Sequence, residues 1–193
     1  MTKPSRFVVL VANLLVAVTT FASPRAQEQP AQGGALPQKS IDRIVREVRH
    51  ELVTLPYYGV FDNLAYKVDP DGTVTLMGQV ANPTLKSDAE RAVKRIEGVE
   101  KVVNNIEVLP TSPNDDRIRL AVYRAIYGHP ALNMYQLRSV PPIHIIVKNG
   151  NVTLEGAVAR QMDKQIAEMQ AKSVPGVFSV TDNLRVEEED KKQ

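Results

Sequence analysis

A ten-residue pattern occurs twice in this 193-residue chain, and it narrows the folds open to it more than any other feature. The first copy runs Asp71-Gly72-Thr73-Val74-Thr75-Leu76-Met77-Gly78-Gln79-Val80. The second runs Asn149-Gly150-Asn151-Val152-Thr153-Leu154-Glu155-Gly156-Ala157-Val158. Each starts with a dipeptide suited to a tight hairpin turn, because Asp, Asn and above all Gly tolerate φ > 0. Each then alternates, with Val, Leu, Gly and Val on one strand face and mostly polar residues on the other. Gly72 and Gly150 in the turns are 78 residues apart, and so are Gly78 and Gly156 within the strands. A repeat of that period divides the chain into two copies of one small domain.

The first copy occupies residues 40–110. Ser40 is a candidate cap for a helix whose apolar residues Ile41, Ile44, Val45, Val48 and Leu52 recur at helical spacing. Its other face carries Arg43, Arg46 and Arg49, which either contact phospholipid headgroups or form an ordinary solvated face. Leu55-Pro56 ends the helix and leads into Tyr57, Tyr58 and Phe61, a local concentration in a chain that is only 5% aromatic. These rings either close one end of the core or meet a partner or membrane interface. Leu64, Tyr66 and Val68 mark a first strand, the repeated stretch a second. Asn82-Pro83 reads as a cap with proline in the first turn of a second helix, which runs to about Ile96 and stops at Gly98. Val102, Ile106 and Val108 mark a third strand, so the order is α-β-β-α-β.

The second copy occupies residues 114–187, after a proline-stiffened joint at 109–113. Asn114-Asp115-Asp116 supplies cap and first-turn charge for a helix with the core stripe Ile118, Val122, Ala125 and Ile126. Leu120, Tyr123 and Tyr127 form a second stripe, which either packs inside the molecule or presents an interface. The loop at 131–140 is longer than its counterpart and holds Leu132, Met134, Tyr135 and Leu137, so both copies place hydrophobes at the same end. Gly176 matches Gly98 at the same offset of 78.

The ends read differently. Lys3 and Arg6 precede an apolar run from Phe7 to Phe21 and the small-residue stretch Ala22-Ser23-Pro24-Arg25-Ala26, the layout of a signal peptide at 1–26. Cleavage after Ala22 or Ala26 then leaves an exported, periplasmic chain. Residues 27–39 read as a disordered Gln/Gly/Pro/Ala linker and 188–193 as a charged tail. Removing residues 1–26 takes away Lys3, Arg6 and Arg25, leaving 21 basic against 22 acidic residues. A chain so near neutrality gives no support for general nucleic-acid binding. With no cysteine there is no disulfide and no lipidated cysteine.

Gly-x-Val-x-Leu-x-Gly-x-Val followed by Gly-Val-x-x-Val-x-x-Asn-[Ile/Leu]-x-Val, at Gly72–Val80 with Gly98–Val108 and at Gly150–Val158 with Gly176–Val186, resembles the BON (bacterial OsmY and nodulation) domain. The resemblance implies an α+β fold of two tandem domains, each with two helices on a three-stranded mixed sheet. It also implies an envelope role, as phospholipid attachment or chaperone-like protein binding, similar to osmotically inducible periplasmic proteins. No catalytic residue belongs to the motif.

The residues themselves show no catalytic machinery. His50, His129 and His144 lack partners at metal-ligand spacing, and there is no nucleophile elbow or phosphate loop. The Asp69-Pro70-Asp71-Gly72 turn lacks the terminal Glu of a calcium loop. The expectation is a non-enzyme without cofactor or metal, binding envelope proteins or, alternatively, an anionic phospholipid surface. Its candidate contacts are Leu120, Tyr123, Tyr127, Leu132, Met134, Tyr135, Leu137, Tyr57, Tyr58 and Phe61, with Arg43, Arg46 and Arg49 for headgroups.

Overall fold

A computed structural model describes residues 35–187, all within one compact unit, Gly33–Gln193. The proposed signal peptide, most of the linker and the charged tail lie outside the described residues. In the first repeat, α1 (Gln38–Val53), β1 (Asn63–Val68), β2 (Thr73–Val80) and α2 (Pro83–Val93) are followed by β3 (Lys101–Asn104) and β4 (Glu107–Val108). In the second, α3 (Pro113–Tyr127), β5 (Ile143–Lys148), β6 (Asn151–Val158), α4 (Gln161–Lys172), β7 (Ser179–Asp182) and β8 (Arg185–Val186) repeat the order. A single 3-10 turn, Asn133–Leu137, lies in the long loop after α3.

Each sheet is built on its central strand. β1 runs antiparallel to β2, and β3 and β4 both lie parallel to β2 on its other side. The third strand is therefore one line broken at Asn105-Ile106, where Asn104 turns inward: its side chain accepts from the Ile106 N–H and donates to the Lys86 carbonyl. β5, β6, β7 and β8 repeat this pairing. The alternation of the repeated stretch becomes two cores. Val74, Leu76 and Val80 meet Ile44, Val48, Leu52, Leu85, Ala89 and Val93 in the first. Val152, Leu154 and Val158 meet Ile118, Val122, Ile126, Ala167 and Ala171 in the second. Each fully buried Leu or Ile contributes about 1.5–3 kcal/mol, and this apolar layer between helices and sheet is what holds each repeat closed.

Three local expectations change. Ser40 does not cap α1. The helix starts at Gln38 after Pro37, with no side-chain cap, because the Leu36 N–H bonds to the Pro70 carbonyl at 2.7 Å and turns the chain into the helix early. Leu36 also packs on the first core, so the linker ends before it. At α3 the cap is Ser112, whose Oγ accepts from the Asp115 N–H at 3.2 Å.

The in-strand glycines of the repeated stretch serve a close approach between backbones. Gly78 and Gly156 have φ of 109° and 115°. A Cβ on Gly78 would stand 2.0 Å from the Asn63 carbonyl oxygen, and one on Gly156 would stand 1.9 Å from that of Pro142. The close approach is to the start of the neighbouring strand, not to a helix. The two hairpins differ by one residue. Lys148 faces Asn151 across a two-residue turn in which Asn149 and Gly150 both have positive φ, whereas Val68 faces Val74 across a five-residue loop. The β2 and β6 strands align at an offset of 78, but β1 and β5 align at 79, since Val68 corresponds to Val147.

Candidate functional site

The loop after α1 is where the two repeats meet. The Val60 carbonyl accepts the Ile145 N–H at 2.8 Å, so the first repeat's loop caps the outer edge of β5. Tyr58 stacks on His144 with ring centres 5.5 Å apart, and His144 Nδ1 lies 3.2 Å from the Gly59 carbonyl. Phe61 meets Tyr123 edge-on at 6.1 Å. Burial lowers the His144 pKa, against the smaller opposing influence of the Gly59 carbonyl and the Asp62 carboxylate. It pushes the Tyr58 hydroxyl up to about 12. Asp62, itself buried, fixes the loop. Its carboxylate accepts from the Gly59 N–H at 3.1 Å and from the Ala81 N–H at 2.8 Å. Burial raises its pKa, and those two N–H donors pull it back down.

The second repeat's loop serves its own domain. Tyr135 takes the place of Asp62: its hydroxyl accepts from the Ala159 N–H at 2.9 Å and donates to Asp163 Oδ2 at 2.7 Å. Asp163 is buried and is held from its other side by Arg160 at 3.0 Å. Burial raises the Tyr135 pKa. Leu132 is fully buried beside it.

The candidate contacts therefore divide. Tyr127, Leu132 and Tyr135 are not surface residues. Tyr127 enters the core because its hydroxyl finds both backbone groups of Ile143, donating to the carbonyl at 2.6 Å and accepting from the N–H at 3.2 Å. Tyr58, Phe61 and Tyr123 are half-buried in the joint. Leu137 at 88%, Tyr57 at 80%, Met134 at 56% and Leu120 at 47% remain exposed. Tyr57 also has φ of 69°, an outlier for an aromatic residue. Phe61, Leu120, Tyr123, Gln136, Arg138 and Pro141 line a cleft of about 350 Å³ drawn from both repeats. Of the three arginines, Arg43 is tied to Glu47 and to the Glu97 carbonyl, whereas Arg46 and Arg49 are exposed.

The burial of four charged residues escapes sequence reading: Asp62, Asp115, Arg119 and Asp163. Asp115 accepts from the Asn149 and Gly150 N–H groups at 2.9 and 2.8 Å, tying α3 to the β5–β6 turn. Arg119 pairs with Asp116 and donates to the Val147 carbonyl at 2.9 Å. Asp115 and Asp163, each at the third position of its helix, carry a usable signal, because acidic residues favour that turn. Among the described residues no group of three or more His, Cys, Asp or Glu is placed to hold a metal ion. No described helix is long and apolar enough to cross a membrane.

Compared with known families, the chain matches the BON domain twice, over residues 40–110 and 114–188. It belongs to the BON-domain family. The two sheets with their helix pairs are thus two tandem BON domains, and BON domains are associated with membrane or envelope binding and are generally non-catalytic. No curated protein matches the chain. Among solved structures it is similar to CdsD, a structural protein of the type III secretion system of Chlamydia trachomatis. That match is 12% identical, covers 78% of this chain and 96% of that one, and has a TM-score of 0.30. The C-terminal domain of CdsD is 13% identical, with 74% and 96% covered and a TM-score of 0.29. Likenesses that loose carry no functional argument.

Proposed function

We propose that this tandem-BON chain is a non-catalytic binding module of the cell envelope. It is exported to the periplasm and acts there as a protein-binding, chaperone-like adaptor in envelope stress or integrity. The observation that carries this reading is the cleft shared by both repeats, with Leu120 exposed on its rim and Leu137 beside it in the chain from Gln136. Aromatic walls next to exposed leucines suit an unfolded or extended apolar segment better than a small polar ligand. The test is suppression of light scattering from reduced, aggregating α-lactalbumin. The wild-type chain should delay aggregation, and Leu120→Asp/Leu137→Asp should lose that effect without a change in melting temperature. No delay with the wild-type chain would sink the adaptor reading, and equal protection by both proteins would take it off this cleft. Export is checked separately, by whether the N-terminus of the periplasmic protein begins after Ala22 or Ala26.

Peripheral attachment to anionic phospholipid is the second reading, favoured by the exposed Arg46 and Arg49 on α1. Liposome co-sedimentation separates the two. A chain that stays in the supernatant with anionic vesicles at low salt is not a lipid-attachment module.

A further inference from the structure

The two repeats differ in how they finish the outer edge of the sheet. In an antiparallel pair, alternate residues turn their N–H and C=O groups away from the partner strand. On β5 those residues are Ile143, Ile145 and Val147, as the Ile145 N–H bond to Val60 shows. Most of their groups are closed. Tyr127 holds both groups of Ile143, Val60 takes the Ile145 N–H, and Arg119 takes the Val147 carbonyl.

The same parity holds on β1. The Asp69 N–H bonds to the Thr73 carbonyl at 2.8 Å, which makes Val68↔Val74 and Tyr66↔Leu76 the pairs whose backbone groups face outward. The Leu64 N–H meets the Tyr58 hydroxyl. The Leu64 carbonyl and both groups of Tyr66 and Val68 take no hydrogen-bond partner among the described residues. The reason lies in α1. The buried stripes Ile44/Val48/Leu52 and Ile118/Val122/Ile126 put α1 and α3 in register. Val53 then stands where the second repeat has Tyr127, and Val45 where it has Arg119. Neither valine can close an edge. Both remain on the surface, 48% and 36% exposed. Arg49 stands in the place of Tyr123.

This unfinished edge forms one wall of a groove of about 660 Å³. Leu64, Ala65 and Tyr66 line it from β1, Arg49 and Val53 from α1, and Arg185 from the second repeat. Arg49 and Arg185 pair with no carboxylate among the described residues; Glu155, also in the groove, accepts from the Asn183 amide. The open backbone groups of Leu64 and Tyr66, the apolar Val53 and two guanidiniums without a carboxylate partner among the described residues converge on this groove. We infer that the groove is a β-augmentation site: an extended peptide segment with alternating acidic and apolar residues pairs with β1 at Tyr66 and Val68. Its apolar side chains lie on Val53 and Leu64, and its carboxylates meet Arg49 and Arg185. The groove shares no lining residue with the cleft at Leu120 and Tyr123, so this site stands or falls independently of the adaptor reading.

The test is titration of the isotope-labelled chain with the heptapeptide Ac-Glu-Val-Glu-Val-Glu-Val-Glu-NH2, followed by amide NMR. The expected result is chemical-shift change at Tyr66 and Val68. Lysine in place of the glutamates should weaken binding about tenfold or more, and N-methylation of the valines should abolish it. Val45→Arg/Val53→Tyr transplants the second repeat's closure onto the first and should lose the peptide while keeping its melting temperature. If that variant fails to fold, Arg49→Ala/Arg185→Ala provides the same reading by weakening the acidic peptide alone. The inference is overturned if the lysine or N-methylated peptide binds as well, or if the shifts fall on Leu120 and Tyr123 instead. It is equally overturned if the Tyr66 and Val68 amides of the free chain already resist exchange as strongly as Ile145, because the edge is then covered by this chain's own residues or by a second copy. Sedimentation velocity would say which.

Discussion

Gly156→Ala should strongly destabilise the second repeat, and the structure says by how much. The new Cβ would lie 1.9 Å from the Pro142 carbonyl oxygen and 3.1 Å from its carbon. A carbon–oxygen contact needs about 3.3 Å, so β6 and the start of β5 must part by more than an ångström. That opens the Ala157 N–H bond to Pro142, which starts at 3.2 Å, and the adjoining ladder bond. Two such bonds contribute about 1 kcal/mol each, and an L-residue held at a φ of 115° costs a further ~1–3 kcal/mol. The total, roughly 3–5 kcal/mol, compares with the ~4–11 kcal/mol expected for a domain of this size. Gly150→Ala is the control. Its φ of 76° lies in the left-handed region, and its Cβ would crowd only the ring of Phe178, which is exposed and free to swing, while the Gly176 carbonyl oxygen stays at an ordinary contact distance of 3.4 Å. It should cost about 1 kcal/mol. Urea unfolding, with separate probes in each repeat, reads both. If Gly156→Ala leaves the second repeat's midpoint no lower than Gly150→Ala does, the close-approach reasoning is wrong.

Tyr127→Phe removes the hydroxyl that satisfies both backbone groups of Ile143 and should cost about 1–3 kcal/mol, read as a lower urea midpoint for the second repeat; an unchanged midpoint means that water replaces the hydroxyl. Phe61→Ala should loosen the joint, costing about 1–2 kcal/mol because the ring is only half-buried against the second core. Faster protease cleavage at 109–113 would report it, and an unchanged rate would mean that Val60 and Tyr58 suffice. His144 has a lowered pKa in the folded chain, so it binds fewer protons there than when unfolded. Its contribution is therefore fully present above the unfolded value near 6.5 and is lost as pH falls from there towards the folded pKa. Asp62, with its raised pKa, acts oppositely at lower pH, between the ordinary carboxylate value and its own. His144→Phe, which keeps a ring against Tyr58, should flatten the stability loss between pH 7 and 5. A variant with the wild-type slope would place that loss elsewhere.

The α-β-β-α-β order was legible because its signals are local: an alternating strand, a turn dipeptide, Asn82-Pro83 ahead of a helix. The Asn82 side chain does accept from the Thr84 N–H, as that pattern requires. Which exposed-looking aromatics are truly exposed was not legible. Tyr127 and Tyr135 share a polar tip and an apolar body with Tyr57, yet two are buried and one is 80% exposed. The difference lies in whether a backbone N–H waits for the hydroxyl, at Ile143 and Ala159, and those groups are set by tertiary contacts 16 and 24 residues away. The register slip between the hairpins hid for a similar reason. An added residue in a turn leaves the strand alternation intact on both sides, and only pairing reveals it.

Identical motifs in the two copies mark fold, and the differences that bear on function cluster on one helix face. α1 and α3 keep the same buried stripe, while Val45, Arg49 and Val53 stand against Arg119, Tyr123 and Tyr127. In the second repeat those three residues are spent on closing an edge and receiving the first repeat's loop. An edge strand left open is a liability unless something pairs with it. A chain whose second copy closes its edge with a buried arginine and a buried tyrosine has the means to close its first, and does not use them. The cationic, apolar side chains set there instead make the first repeat the receptive one, and the second its structural support.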